Sequence, residues 1–89
     1  MKIIASIFIS VFLSLGVLAQ QELITAADSA YANERYSEAI SNYESVLDLG
    51  YESAALYYNL GNAYFNINDL PSAILNYERA KVLSPRDPD

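Results

Sequence analysis

The 89-residue chain has no cysteine, no histidine and no tryptophan, and only five basic side chains stand against eleven acidic ones. Each shortage closes off a class of chemistry. Without cysteine there is no disulfide framework and no lipid anchor built on an N-terminal Cys, so stability must come from packing alone. Without cysteine or histidine, catalysis would fall to a carboxylate pair, a lysine or a serine. The carboxylates recur at spacings of four, as in Glu34 with Glu38 and Glu44 with Asp48, the pattern of a solvated helix face. A perturbed acid–base pair needs a dry cleft that so short a chain can barely build. The scattered acids match no EF-hand spacing. No catalytic residue, metal site or cofactor is therefore expected. Arg35, Arg79, Lys81 and Arg86 are too few and too dispersed to displace counterions from a phosphate backbone, so nucleic acid is not an expected partner.

Long apolar runs are also scarce, with one exception at the N-terminus. Residues 1–19 read MKIIASIFISVFLSLGVLA. Lys2 supplies a short positive region, Ile3 to Leu18 an apolar stretch, and Val17-x-Ala19 a small-residue cleavage pattern, which together predict a secretory signal peptide. The stretch is short for a spanning helix and is diluted by Ser6, Ser10, Ser14 and Gly16. Cleavage after Ala19 is the expectation, with an uncleaved membrane anchor as the alternative. The remaining Gln20–Asp89 keeps four basic and eleven acidic residues, a formal charge of −7. A domain of that size buries only about 60% of its unfolded surface.

Glycine is rare, which makes its appearance in NLGNAYF, residues 59–65, informative. A glycine inside a helix costs about 1 kcal/mol relative to alanine, yet the helical periodicity runs on through Tyr64 and Phe65. Shifting the chain by 34 residues places Ala27 on Gly61, Tyr31 on Phe65, Ala39 on Ala73, Asn42 on Asn76, Tyr43 on Tyr77, Glu44 on Glu78 and Leu49 on Leu83. SEAISNYESVLDL and PSAILNYERAKVL are one helix written twice, and a period in this range marks a stacked-helix array. Four helices follow, over about 21–34, 37–49, 54–67 and 71–83. Ser53 is placed to cap the third, and Asp69 with Pro71 to start the fourth. Gly50 and Asn68 suit the left-handed positions that end the second and third, and Ser84-Pro85 stops the fourth. The purpose expected of Gly61 is close helix approach: with Ala73 and Ala80 it forms a strip of small residues, as Ala27 does with Ala39, while Tyr57, Tyr64 and Tyr77 fill the space alongside.

Residues 54–87 resemble the tetratricopeptide repeat (TPR), whose pattern is W-x2-L-G-x2-Y, then A-x3-F, then P. Tyr57 stands in the Trp place, Leu60-Gly61 form the Leu-Gly pair, Tyr64 takes the Tyr place, Ala73 and Tyr77 the Ala-x3-Phe places, Ala80 the next small place, and Pro85 the closing Pro. Residues 20–53 match well in their second helix, but Leu23, Ala26, Ala27 and Ala30 replace the large aromatic and Leu-Gly set of the first. The resemblance implies an all-α fold of two tandem helix-turn-helix units, an α-solenoid fragment, after the N-terminal signal segment. Pro88-Asp89 would begin a further repeat or cap, so either the sequence belongs to a longer protein or the open end is closed by another molecule.

The TPR resemblance also implies a noncatalytic docking function, with a protein or peptide as partner in the concave surface lined by the first helix of each pair. The contacting positions carried over are Ile24, Asp28 and Tyr31 in the first repeat, and Ala55, Tyr58, Asn62, Phe65 and Asn66 in the second. Tyr31 and Phe65 serve equally well as cover for the junction between repeats. Neither first helix past the signal segment carries a basic residue, which argues against the subtype that clamps a C-terminal carboxylate. A structural unit that self-associates through its last helix is the alternative function. The signal segment followed by SAALYYNLGNAYF and AILNYERAKVLSPRDPD is similar to the N-terminal TPR region of exported proteins found with bacterial aerotolerance (Bat) operons. That likeness implies a module in the periplasm or at the outer face of the inner membrane, helping to assemble a larger complex. Any membrane association would run through the N-terminal segment or through regions beyond Asp89.

Overall fold

The computed structural model describes residues 2–84, with side chains from Leu15 onward. Four helices follow one another: α1 (Lys2–Ala32), α2 (Tyr36–Asp48), α3 (Ala54–Asn66) and α4 (Leu70–Leu83). Among the described residues there is no strand, and no helix is long and apolar enough to cross a membrane. Pro85, expected to close the second repeat, and Pro88-Asp89, expected to open another unit, lie outside the described residues.

Local chemistry sets most of the helix ends. The Ser53 hydroxyl accepts the Leu56 N–H at 3.0 Å, and Asp69 accepts the Ser72 N–H at 3.3 Å and the Ser72 hydroxyl at 2.8 Å. The two N–H bonds each satisfy a donor that the first helical turn cannot pair internally. Gly50 and Asn68 adopt positive φ, at +91° and +63°, as their residue types favour. Glu34 does so too, at +60°, although nothing in a glutamate favours that conformation. It lies 34 residues before Asn68, so both repeats make the same turn between their helices.

The first helix corrects the expected span of 21–34. It is continuous from Lys2 to Ala32, so Ala19 lies within it. The expected start came from a processing pattern, which is not a helix-breaking signal. No proline interrupts the segment, and the single Gly16 costs too little to stop a helix.

Packing is pairwise: α1 against α2 and α3 against α4, with α3 also laid against α2. The buried cluster sits where α1, α2 and α3 meet and contains Ala27, Ala30, Ala39, Tyr43, Val46, Leu56, Leu60 and Ala63. Val46 and Leu60 are its largest fully buried side chains, and burial of a leucine contributes roughly 1.5–3 kcal/mol.

Gly61 is buried as expected, but its neighbour differs. A β-carbon at this position would lie 2.5 Å from both Cδ1 and Cε1 of Tyr77, well inside van der Waals contact. Ala73 and Ala80 are buried on α4, yet it is the Tyr77 ring that occupies the space the glycine leaves. The same helix positions in the first repeat hold Ala27 and Tyr43, both in the buried cluster.

Candidate functional site

A cleft lies where α1 and α3 present corresponding faces. It holds about 190 Å³ and is lined by Asp28 and Tyr31 of α1, Tyr43 of α2, and Asn59 and Asn62 of α3. Spacings of three and four put Asp28 with Tyr31, and Asn59 with Asn62, on single helix faces.

Two of these residues are held from behind by phenols. The Tyr43 hydroxyl donates to Asp28 Oδ1, and the Tyr77 hydroxyl donates to Asn62 Oδ1 at 2.6 Å. Because Asp28 and Asn62, like Tyr43 and Tyr77, stand 34 apart, this is one bond built twice. Burial, and then the Asp28 carboxylate accepting its proton, push the Tyr43 phenol well above its ordinary range, against a smaller opposing hydrogen bond involving Asn59. With one oxygen of Asp28 engaged, the other keeps its lone pairs for a ligand. With Oδ1 of Asn62 engaged, its amide hydrogens remain as donors. The cleft therefore offers an acceptor at one step and a donor at the next, with no basic group among its lining residues.

A tetratricopeptide repeat family model matches residues 24–88, well over half of the chain. The chain belongs to the tetratricopeptide repeat family. No curated protein and no solved structure matches it. Repeats of this family are generally protein–protein interaction modules.

The TPR chain distributes the residues expected at its partner surface among four places. Asp28, Tyr31 and Asn62 converge on the cleft. Asn66 joins them at its edge, donating from Nδ2 to the Tyr31 hydroxyl at 3.1 Å and to the Asn62 carbonyl at 2.8 Å. Tyr31 is partly buried against the core and meets Tyr36 edge-on, with ring centroids 5.3 Å apart. Ile24 packs against the core cluster. Tyr58 and Ala55 lie elsewhere, in a separate opening between α3 and α4. Phe65 is exposed. Asn59 was not anticipated in the cleft: three residues before Asn62, it shares that residue's helix face, and this spacing is the sequence signal that could have found it.

Proposed function

We propose that this TPR chain is a noncatalytic docking module whose α1–α3 cleft holds an extended segment of a partner protein. The observation that carries the reading is the pair of phenol-held groups, Asp28 and Asn62, which face one cleft from corresponding positions of successive repeats. An extended backbone presents N–H and C=O groups alternately, and a fixed acceptor followed by a fixed donor suits it. Holding both side chains in advance lowers the entropy lost on binding. Without a basic lining residue, the cleft favours an internal segment over a free C-terminal carboxylate. Placement outside the cytoplasm, in the periplasm or at the outer face of the inner membrane, and a part in assembling a larger complex complete the proposal. They rest on the signal-like residues 1–19 and on the similarity to the exported Bat-operon proteins.

The test uses peptides selected from a random display library on the immobilised chain. Asn62→Asp keeps an acceptor for Tyr77 while removing the amide donors, and thereby copies the first repeat. It is expected to weaken selected peptides by about tenfold, the effect of losing one or two well-placed hydrogen bonds, with melting temperature unchanged. Unchanged affinity in both Asn62→Asp and Asp28→Asn would overturn the reading. N-terminal sequencing that finds Met1 in a soluble cytosolic fraction would reject export.

A further inference from the structure

We propose that the cavity between α2 and α4, with Asn76 as its buried member, receives the side-chain ammonium group of a lysine on a partner protein. It shares no lining residue with the peptide cleft or with the α3–α4 opening, so it goes beyond the docking function above and does not depend on it. The cavity holds about 270 Å³. Glu44, Leu47 and Asp48 line it from α2, and Leu75, Asn76 and Arg79 from α4. Asn76 is the residue that points to a ligand. Its side chain is 4% exposed; Nδ2 donates to the Ser72 carbonyl at 2.9 Å, while Oδ1 is enclosed and has no hydrogen-bond partner. Buried oxygens in folded proteins are nearly always paired, and the cavity beside this one is the way in for a donor. Exchanging the two ends of the amide solves nothing, because Oδ1 would then face the Ser72 carbonyl.

The neighbouring acceptors fix the kind of donor. Glu44 accepts the Tyr64 hydroxyl at Oε1, which leaves Oε2 open, and among the described residues neither Glu44 nor Asp48 is ion-paired. Two carboxylates and one amide carbonyl make three acceptors, matching the three hydrogens of an ammonium group. Leu47 and Leu75 offer apolar walls to the methylene stem behind it. The described basic side chains are engaged elsewhere: Arg35 with Glu38 at 2.9 Å, Lys81 with Glu78 at 3.9 Å, and Arg79 over the Tyr57 ring, 5.8 Å from its centroid. The cation therefore comes from outside these helices, and a chain with eleven acidic and five basic residues attracts one.

Nor is the set a feature that both repeats carry. Moving 34 residues on turns Glu44 into Glu78 but Asp48 into Val82, and moving 34 back turns Ser72 and Arg79 into Glu38 and Ser45. Asn76 has an amide counterpart in Asn42, which is less buried. The combination belongs to this junction and not to helix stacking in general.

The probe is Nα-acetyl-lysine N-methylamide, titrated into the full chain and followed by amide shift changes. Saturation with a Kd of about 1 mM is expected, with changes centred on Glu44, Asp48 and Asn76, and the norleucine and Nε-acetylated analogues should not bind. Asp48 is exposed, so Asp48→Asn should leave melting temperature unchanged while weakening the lysine probe by about fivefold. Asn76→Leu removes the orphaned oxygen at similar volume. It should not lower the melting temperature, yet should weaken the probe by about tenfold. Asn62→Asp should leave this binding intact, which separates its failure from that of the peptide cleft. Absence of binding, binding indifferent to both Asp48→Asn and Asn76→Leu, or an arginine analogue bound equally well with shifts spread over the acidic surface would each overturn the proposal. So would 1,5-diaminopentane bound about tenfold more tightly than the lysine probe, since the occupant would then be a free diamine. Binding that appears only in Arg86→Ala would also overturn it, because the chain would then fill the site itself.

Discussion

At Gly61 two effects of known size oppose each other. Adding a methyl in a helix interior gains about 1 kcal/mol of backbone propensity, and displacing a packed ring costs roughly 1–3 kcal/mol. With two Tyr77 ring carbons 2.5 Å from the new carbon, displacement wins, so Gly61→Ala is expected to lower stability by about 1 kcal/mol in urea denaturation. In a Tyr77→Leu background the same substitution should become neutral or stabilising. A loss of equal size in both backgrounds would show that the ring is not the cause. The sequence signalled that position 61 must be small, because a glycine interrupts an otherwise regular helical pattern. It did not show which side chain takes the space, since spacing ranks residues by helix face and says nothing of the rotamer a tyrosine adopts. The same limit separated Tyr58 from Asn62: they are neighbours on one helix, yet one faces the α3–α4 opening and the other the polar cleft.

Helix ends were easier to read than helix neighbours. Ser53, Asp69, Gly50 and Asn68 act through bonds and backbone preferences within a few residues, and the observed α2, α3 and α4 begin and end within about one residue of the expected spans. Ser53→Ala should cost about 1 kcal/mol, the value of a side-chain cap, because the Leu56 N–H loses its acceptor. Glu34 was illegible by its type and visible only through its repeat partner Asn68. A left-handed backbone costs a non-glycine residue roughly 1–2 kcal/mol, and glycine gives back about 0.5–1 kcal/mol as extra unfolded-state entropy. Glu34→Gly is therefore expected to raise the urea midpoint, by about 0.5–1 kcal/mol in stability, whereas Asn68→Gly should change little. A lower midpoint for Glu34→Gly would mean that its side chain contributes more than its backbone costs.

Taken together, the helices hold their tyrosines in a way that links folding to alkaline pH. The Tyr64 phenol is pushed up to about 12 by partial burial and by the Glu44 carboxylate that accepts its proton, and the Tyr43 phenol rises for the same kinds of reason. A raised phenol keeps its proton in the folded chain after the unfolded chain has released it. The stability it contributes is complete below pH 10, the ordinary phenol value, and is lost as pH rises toward 12. Melting temperature should fall across that interval, and Tyr64→Phe should flatten the fall although it lowers stability at neutral pH. An unchanged slope would remove the Tyr64–Glu44 bond from the account. This behaviour was not legible from spacing, because Glu44 and Tyr64 are twenty residues apart and meet only once α3 lies on α2.

The doubled phenol bond carries one more consequence. A row of chemically identical steps would let a strand laid across it slide by one step at no cost. Here the matching steps differ by a formal charge, aspartate at 28 and amide at 62, so a slip of one step changes the groups that meet the strand. In the proposed docking mode, that difference is what would pin the strand's register.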